Sequence, residues 1–166
     1  MIISNSTQLI YLAKISRLDM LKDVFKQVII PQSVFSEVVE MGEERNYPDA
    51  KIIRKATEEW IKVKELSKKE IEDFEEIIKI APLGRGEAEA ISLAKNMKLP
   101  VIVDDSIAHK IARLYKIDSY WTTSVIFKAV KMEIIEREEA KVIVEDLINA
   151  GLRIKPEVLI EIMKRL

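Results

Sequence analysis

The sequence predicts an α/β fold with a central parallel β-sheet of about five strands flanked by helices. Three features carry that expectation. Short β-branched runs alternate with longer helical patterns, the mark of successive βαβ units. Two of those runs, Val28-Ile29-Ile30 and Val101-Ile102-Val103, are continuously apolar, as strands covered on both faces must be. Glycine occurs only at Gly42, Gly84, Gly86 and Gly151, so each marks a break in an otherwise regular chain. With 166 residues and no linker, repeat or low-complexity segment, residues 1–166 read as one domain, with 132–166 as a C-terminal helical extension.

The first strand is expected over Ile2–Asn5, followed by helices over Ser6–Ala13 and Leu18–Phe25. The second, Gln27–Ile30, leads into helices over Pro31–Met41 and Asp49–Thr57. After the third strand, Trp60–Val63, the run Ser67-Lys68-Lys69-Glu70 has the form of a capping box and opens a helix over Lys68–Ile80. A small-residue helix over Gly86–Met97 precedes the fourth strand, Pro100–Asp104, and a helix over Ser106–Tyr115. The fifth strand, Ser119–Trp121, is followed by helices over Ser124–Lys131 and Glu138–Ala150. Gly151 stops the latter, and Pro156 suits the first turn of the last helix, Pro156–Arg165. Two closing helices after the sheet suggest a lid or a dimer face.

Composition excludes several chemistries. Apolar residues make up 48% and charged residues 33%, which describes a globular chain. The 27 basic and 28 acidic residues leave a net charge of −1, so there is no broad basic face, and RNA binding must be argued from a site. Without cysteine there are neither disulfides nor thiolate metal sites, and a lone histidine, His109, argues against zinc. Any metal would have oxygen ligands, which points to Mg²⁺ or Mn²⁺. The N-terminus lacks the features of a secretion signal, and no apolar run reaches membrane-spanning length, so a cytoplasmic protein with no membrane partner is the default. Richness in Lys, Glu and Ile hints at a thermophilic source.

Ligands of an open parallel sheet bind beyond the carboxyl ends of its strands. There the first strand offers Ser4-Asn5-Ser6 and the fourth offers Asp104-Asp105. Either aspartate also serves as a helix N-cap, and both roles can coexist because a cap needs one oxygen. At about 100° per residue, Glu87 shares its helix face with Ala90, Ile91 and Ala94, whereas Glu89 lies about 160° away and is expected to face water. A carboxylate on the core side needs a cation or several donors. Glu37 borders the stripe Val34, Val38 and Met41, while Glu40 points away from it. His109 falls on the polar side of its helix, opposite Ile111 and Leu114, and reads as a surface residue. Tyr120 and Trp121 fit either the core rim or base stacking. LGRGEA lacks the Gly-Lys-Ser/Thr ending of a phosphate-cradling loop.

Four segments, IISNSTQLIYLAKI, VIIPQSVFSEVVE, LGRGEAEAISLAKNMKLPVIVDD and the stretch around YWTTSVI, carry a family likeness. Together they resemble the PIN-domain ribonucleases, in particular the prokaryotic stand-alone, VapC-toxin-like subgroup. The resemblance implies a three-layer sandwich with acids at the central carboxyl edge of a parallel sheet. It places the family's four acids at Asn5, Glu37, Glu87 and Asp105, with Asp104 a rival for the fourth, and an assisting hydroxyl at Thr122. Glu87, Asp105 and Asn5, or Asp104, would then be the metal ligands, for Mg²⁺ or Mn²⁺. Lys14, Arg17 and Arg85 would meet the RNA backbone. A homodimer and an antitoxin partner are further implications. The departure is Asn5, where the family usually has aspartate, so the site carries one negative charge fewer. That departure keeps open a second reading, a PIN-like module that binds RNA or a protein without cutting.

Overall fold

The computed structural model describes residues 1–166. Its strands are β1 (Ile2–Ser4), β2 (Val28–Pro31), β3 (Ile61–Lys64), β4 (Val101–Ile102) and β5 (Ser119–Tyr120). They form one sheet in the order β3-β2-β1-β4-β5, every neighbouring pair parallel. Each strand lies within one or two residues of its expected place. Ile2 pairs with Val28 and Ile3 with Val101, which puts β1 at the centre. From β1 the chain winds outward through β2 and β3, then returns to the other side of β1 as β4. The reversal of direction opens a crevice at the carboxyl ends of β1 and β4, the place where such sheets bind ligands.

Side chains alternate across the sheet, and its three central strands, β2, β1 and β4, are buried on both faces. Ile2, Val28, Ile30 and Ile102 join one apolar cluster; Ile3, Ile29, Val101 and Val103 join another. The first cluster is covered by α1 (Ser6–Lys14), α2 (Asp19–Phe25), α5 (Pro48–Glu59) and α9 (Thr122–Lys131). The second is covered by α6 (Lys68–Ile80), α7 (Arg85–Met97) and α8 (Ser106–Leu114). The result is a three-layer sandwich. Ser67 caps α6 as its sequence suggests: its side chain accepts from Glu70 N, and Glu70 Oε2 accepts from Ser67 N at 2.6 Å.

The helix expected over Pro31–Met41 contains a surprise. It runs as α3 (Gln32–Phe35), a π-helical turn (Ser36–Glu40) and α4 (Met41–Glu44), with helical dihedrals through both junctions. A π turn carries an extra residue, so the buried stripe changes phase. Val34, Val38 and then Val39 and Gly42 are buried, whereas Met41 is exposed. This corrects the expectation that Met41 marks the buried face. Gly42 is needed for close approach: a Cβ there would stand 2.8 Å from that of Ala50 on α5. Further on, α9 begins at Thr122, two residues before the expected Ser124.

The closing helices α10 (Arg137–Asn149) and α11 (Pro156–Arg165) pack into the first cluster through Ile143, Val144, Leu147 and Ile162. Gly151, at φ +108°, adopts the left-handed turn that ends α10, and Tyr11 Oη donates to its carbonyl at 3.1 Å. No helix is long and apolar enough to cross a membrane.

Candidate active site

Asn5 leaves β1 at the first position of the crevice and is 2% exposed. Its extended backbone makes it the residue before α1, yet its side chain caps nothing. Instead Nδ2 donates to Glu87 Oε1 at 3.4 Å, and Oδ1 is buried with no hydrogen-bond partner. Leaving a buried acceptor unpaired costs about 1–3 kcal/mol, and such groups are few in folded proteins. A carbonyl oxygen held without a donor fits a hard cation or a tightly held water.

The two aspartates after β4 divide the work between them. Asp105 Oδ1 accepts from Ile107 N at 2.7 Å and Ala108 N at 2.9 Å, capping α8, and Oδ2 makes no hydrogen bond within the chain. Asp104 engages both oxygens: Oδ1 accepts from Thr122 N at 2.8 Å, and Oδ2 from Thr122 Oγ1 at 2.6 Å and Gln8 Nε2 at 3.0 Å. Thr122 and Gln8 are fully buried. Asp104 therefore ties β4 to the starts of α1 and α9, and the Thr122 hydroxyl is committed to it. One oxygen of Asp105 remains free for an external ligand.

Glu87 enters from the first turn of α7, where Oε2 accepts from Gly84 N at 3.3 Å. Burial pushes its carboxyl above the usual range; the Gly84 donor opposes this, and the charges of Asp105, Asp104 and Glu37 add to it. Glu37 reaches in from the π turn, exposed, with Oε2 accepting from Ser6 Oγ at 2.5 Å. Gly86 lets α7 come this close: a Cβ there would lie 3.0 Å from Val34 Cγ2 and 3.8 Å from Glu37 Oε2. Because the folded value of Glu87 is raised, its stabilising contribution is complete below 4.5 and is lost as pH rises through the folded value. Glu87→Gln is accordingly expected to raise the melting temperature at neutral pH by ~2–4 °C, with the gain shrinking as pH falls toward 4.5. Thermal melts across that range check this; a variant less stable than the parent at neutral pH would mean that the ionised carboxylate is welcome there.

No three acidic or imidazole side chains stand close enough to cage an ion by themselves. The donor set, Glu87, Asp105 Oδ2 and the unpaired Asn5 Oδ1, fits a hydrated hard cation such as Mg²⁺, which keeps several waters and takes one or two carboxylates. Helices α1, α8 and α9 all begin at this edge, so their positive ends face the acids and would face a phosphate. A cleft of about 580 Å³ opens beside Glu37, bordered by Ser36, Leu66, Phe74 and Arg85.

Several expectations are corrected. Glu89 is 4% exposed, not solvated: α6 and α3 pack against α7 as well as the sheet does, and its carboxylate takes Ser33 Oγ and Arg85 Nε. His109 is half-buried and held at both nitrogens, whereas Leu114, expected opposite it on the buried face, is 65% exposed. Arg17 pairs with Glu139 at 2.7 Å and Arg85 with Glu89 at 2.7 Å, while Lys14 lies over the Tyr11 ring. Gln8 is a further residue of this edge, and its place as a polar residue on the stripe of Leu9 and Leu12 is the signal the sequence carries for it.

The molecule is an α/β protein whose open parallel sheet brings acids and an unpaired carbonyl to its central carboxyl edge. The family model for the PIN domain matches residues 1–166, and the chain belongs to the PIN-domain family. PIN domains are typically nucleases, hydrolases that generally use divalent metal ions. No curated protein matches the chain.

Proposed function

We propose that the protein is a metal-dependent endoribonuclease hydrolysing RNA phosphodiester bonds. The observation that carries this reading is the buried, unpaired Asn5 Oδ1 beside Glu87, in the crevice that Asp105 flanks. Asn5 Oδ1, Glu87 and Asp105 Oδ2 would hold Mg²⁺ or Mn²⁺, with Glu37 approaching from the far side. When bound, the ion would activate water and stabilise charge on the phosphate. Asp104, fixed by Thr122 and Gln8, sets the geometry of the edge. The starts of α1, α8 and α9 would receive the phosphate, and the cleft beside Glu37 would offer the RNA strand a path.

In this reading residues 1–166 act as one domain with 132–166 as its helical extension, working in the cytoplasm as a homodimer. A VapC-like toxin paired with an antitoxin protein is the biological setting it favours. Incubating the protein with mixed RNA and Mn²⁺, with and without a chelator, is the test. Internal cleavage that the chelator stops is expected. RNA retained uncut under all conditions would instead favour the non-cutting module, the reading that Asn5 in place of an acid supports.

A further inference from the structure

We propose that Trp121 is a stacking platform for a base of single-stranded RNA, with Arg113 and Lys110 of α8 meeting the phosphates beside it. The proposal rests on the nuclease reading for its polymer, while the contact itself lies outside the acidic centre. Trp121 immediately precedes Thr122, the residue that anchors Asp104, so the indole stands one residue from the acidic edge. It is 40% exposed, whereas the chain's other tryptophan, Trp60, is 5% exposed. Trp and Tyr are enriched at interfaces, where one part of the ring is apolar and another is wet.

The indole is also held in place. It stacks on the His109 ring, with centroids 4.0 Å apart and planes 28° apart. His109 is in turn fixed at both ends, Nε2 against Val103 O at 2.9 Å and Nδ1 against Ser119 Oγ at 2.7 Å. A carbonyl only accepts, so Nε2 carries the hydrogen, and the neutral ring then accepts the Ser119 hydroxyl at Nδ1. Burial depresses the tendency of His109 to protonate, which keeps that arrangement. With one face laid on His109, the exposed part of the indole is held still and would lose little freedom on binding a partner. The charges of Asp104 and Asp105, and after them that of Arg113, act on His109; Arg113 and Lys110, which follows His109 in the chain, are both exposed and make no ion pair. Single-stranded nucleic acid is bound by exposed aromatic faces together with cations, since each base offers a π-face and each phosphate a charge. A duplex hides those faces within its own stack.

The test uses a short fluorescein-labelled oligoadenylate in the presence of chelator, so that binding is measured apart from cleavage. Label anisotropy reports binding; tryptophan emission reports the stack, because Trp60 is buried. Emission is expected to fall as the RNA binds, and an RNA duplex of the same length should leave it unchanged. Trp121→Ala should weaken binding roughly tenfold, and Trp121→Phe should keep most of the affinity while abolishing the emission change. Should Trp121→Ala lose its fold, the parent and Trp121→Phe decide the matter. Binding without an emission change, or an unchanged affinity in Trp121→Ala, overturns the platform. So does an absence of RNA binding with a response only to peptide. A stack without Mn²⁺-dependent cleavage sustains the platform and removes the nuclease reading, whereas cleavage without a stack does the reverse.

Discussion

Asp105→Asn is expected to lower metal-dependent cleavage by on the order of 10²–10³, because a metal's electrostatic contribution is worth several kcal/mol. The fold should be untouched. Asn caps a helix as well as Asp does, so Ile107 N and Ala108 N keep their acceptor. What disappears is the charge at Oδ2, together with its repulsion toward Glu87, which Asp105 raises. The variant should therefore melt at or slightly above the parent temperature while cutting far more slowly. Cleavage rates and thermal melts on the same preparation check both halves. Parent-like cleavage would pass the ligand role to Asp104.

Asp104→Ala is expected to do the opposite first. Removing this carboxylate strands Thr122 N, Thr122 Oγ1 and Gln8 Nε2, three donors on residues with no exposure. Each unpaired donor costs about 1–3 kcal/mol, reduced by whatever water can enter. A loss of ~3 kcal/mol or more, and a fall in melting temperature of roughly 10 °C, follows for a chain of this size. Cleavage should fall with it, because the start of α9 loses its tether. A variant as stable as the parent would show that Asp104 is not holding the edge together.

Why these two neighbours differ was not legible in the sequence. Asp104-Asp105 at a strand end announces an acidic edge and a cap, and both are present. Which acid does which is decided by Gln8 and Thr122, residues 96 and 18 positions away from Asp104. The strands were legible because Val28-Ile29-Ile30 and Val101-Ile102-Val103 are buried on both faces, a condition that leaves no choice of residue type. Glu89 was misread because a helical wheel assumes one covered face, and α7 is covered on two. Met41 was misread because a π turn advances the phase by one residue without any sequence mark. His109 was misread for a related reason: its polar partners, Ser119 and Val103, come from the sheet edge, not from its own helix. Glu87, on the small-residue stripe of α7, is half-buried, whereas Glu89, expected in water, is the more buried of the two.

The central claim is that Asn5, Glu87 and Asp105 together hold a divalent ion, and calorimetric titration of Mn²⁺ tests it most directly. Asn5→Asp exchanges an amide for a carboxylate of nearly the same shape and restores the charge that the family usually carries. Hard ions gain most from anionic oxygens, so the variant should bind Mn²⁺ more tightly than the parent at matched ionic strength. In the absence of metal it should be slightly less stable, because another negative charge joins Glu87. Mn²⁺ should raise the melting temperature of both proteins. Equal heats for parent and Asn5→Asp, with no rise in melting temperature for either, would contradict the account.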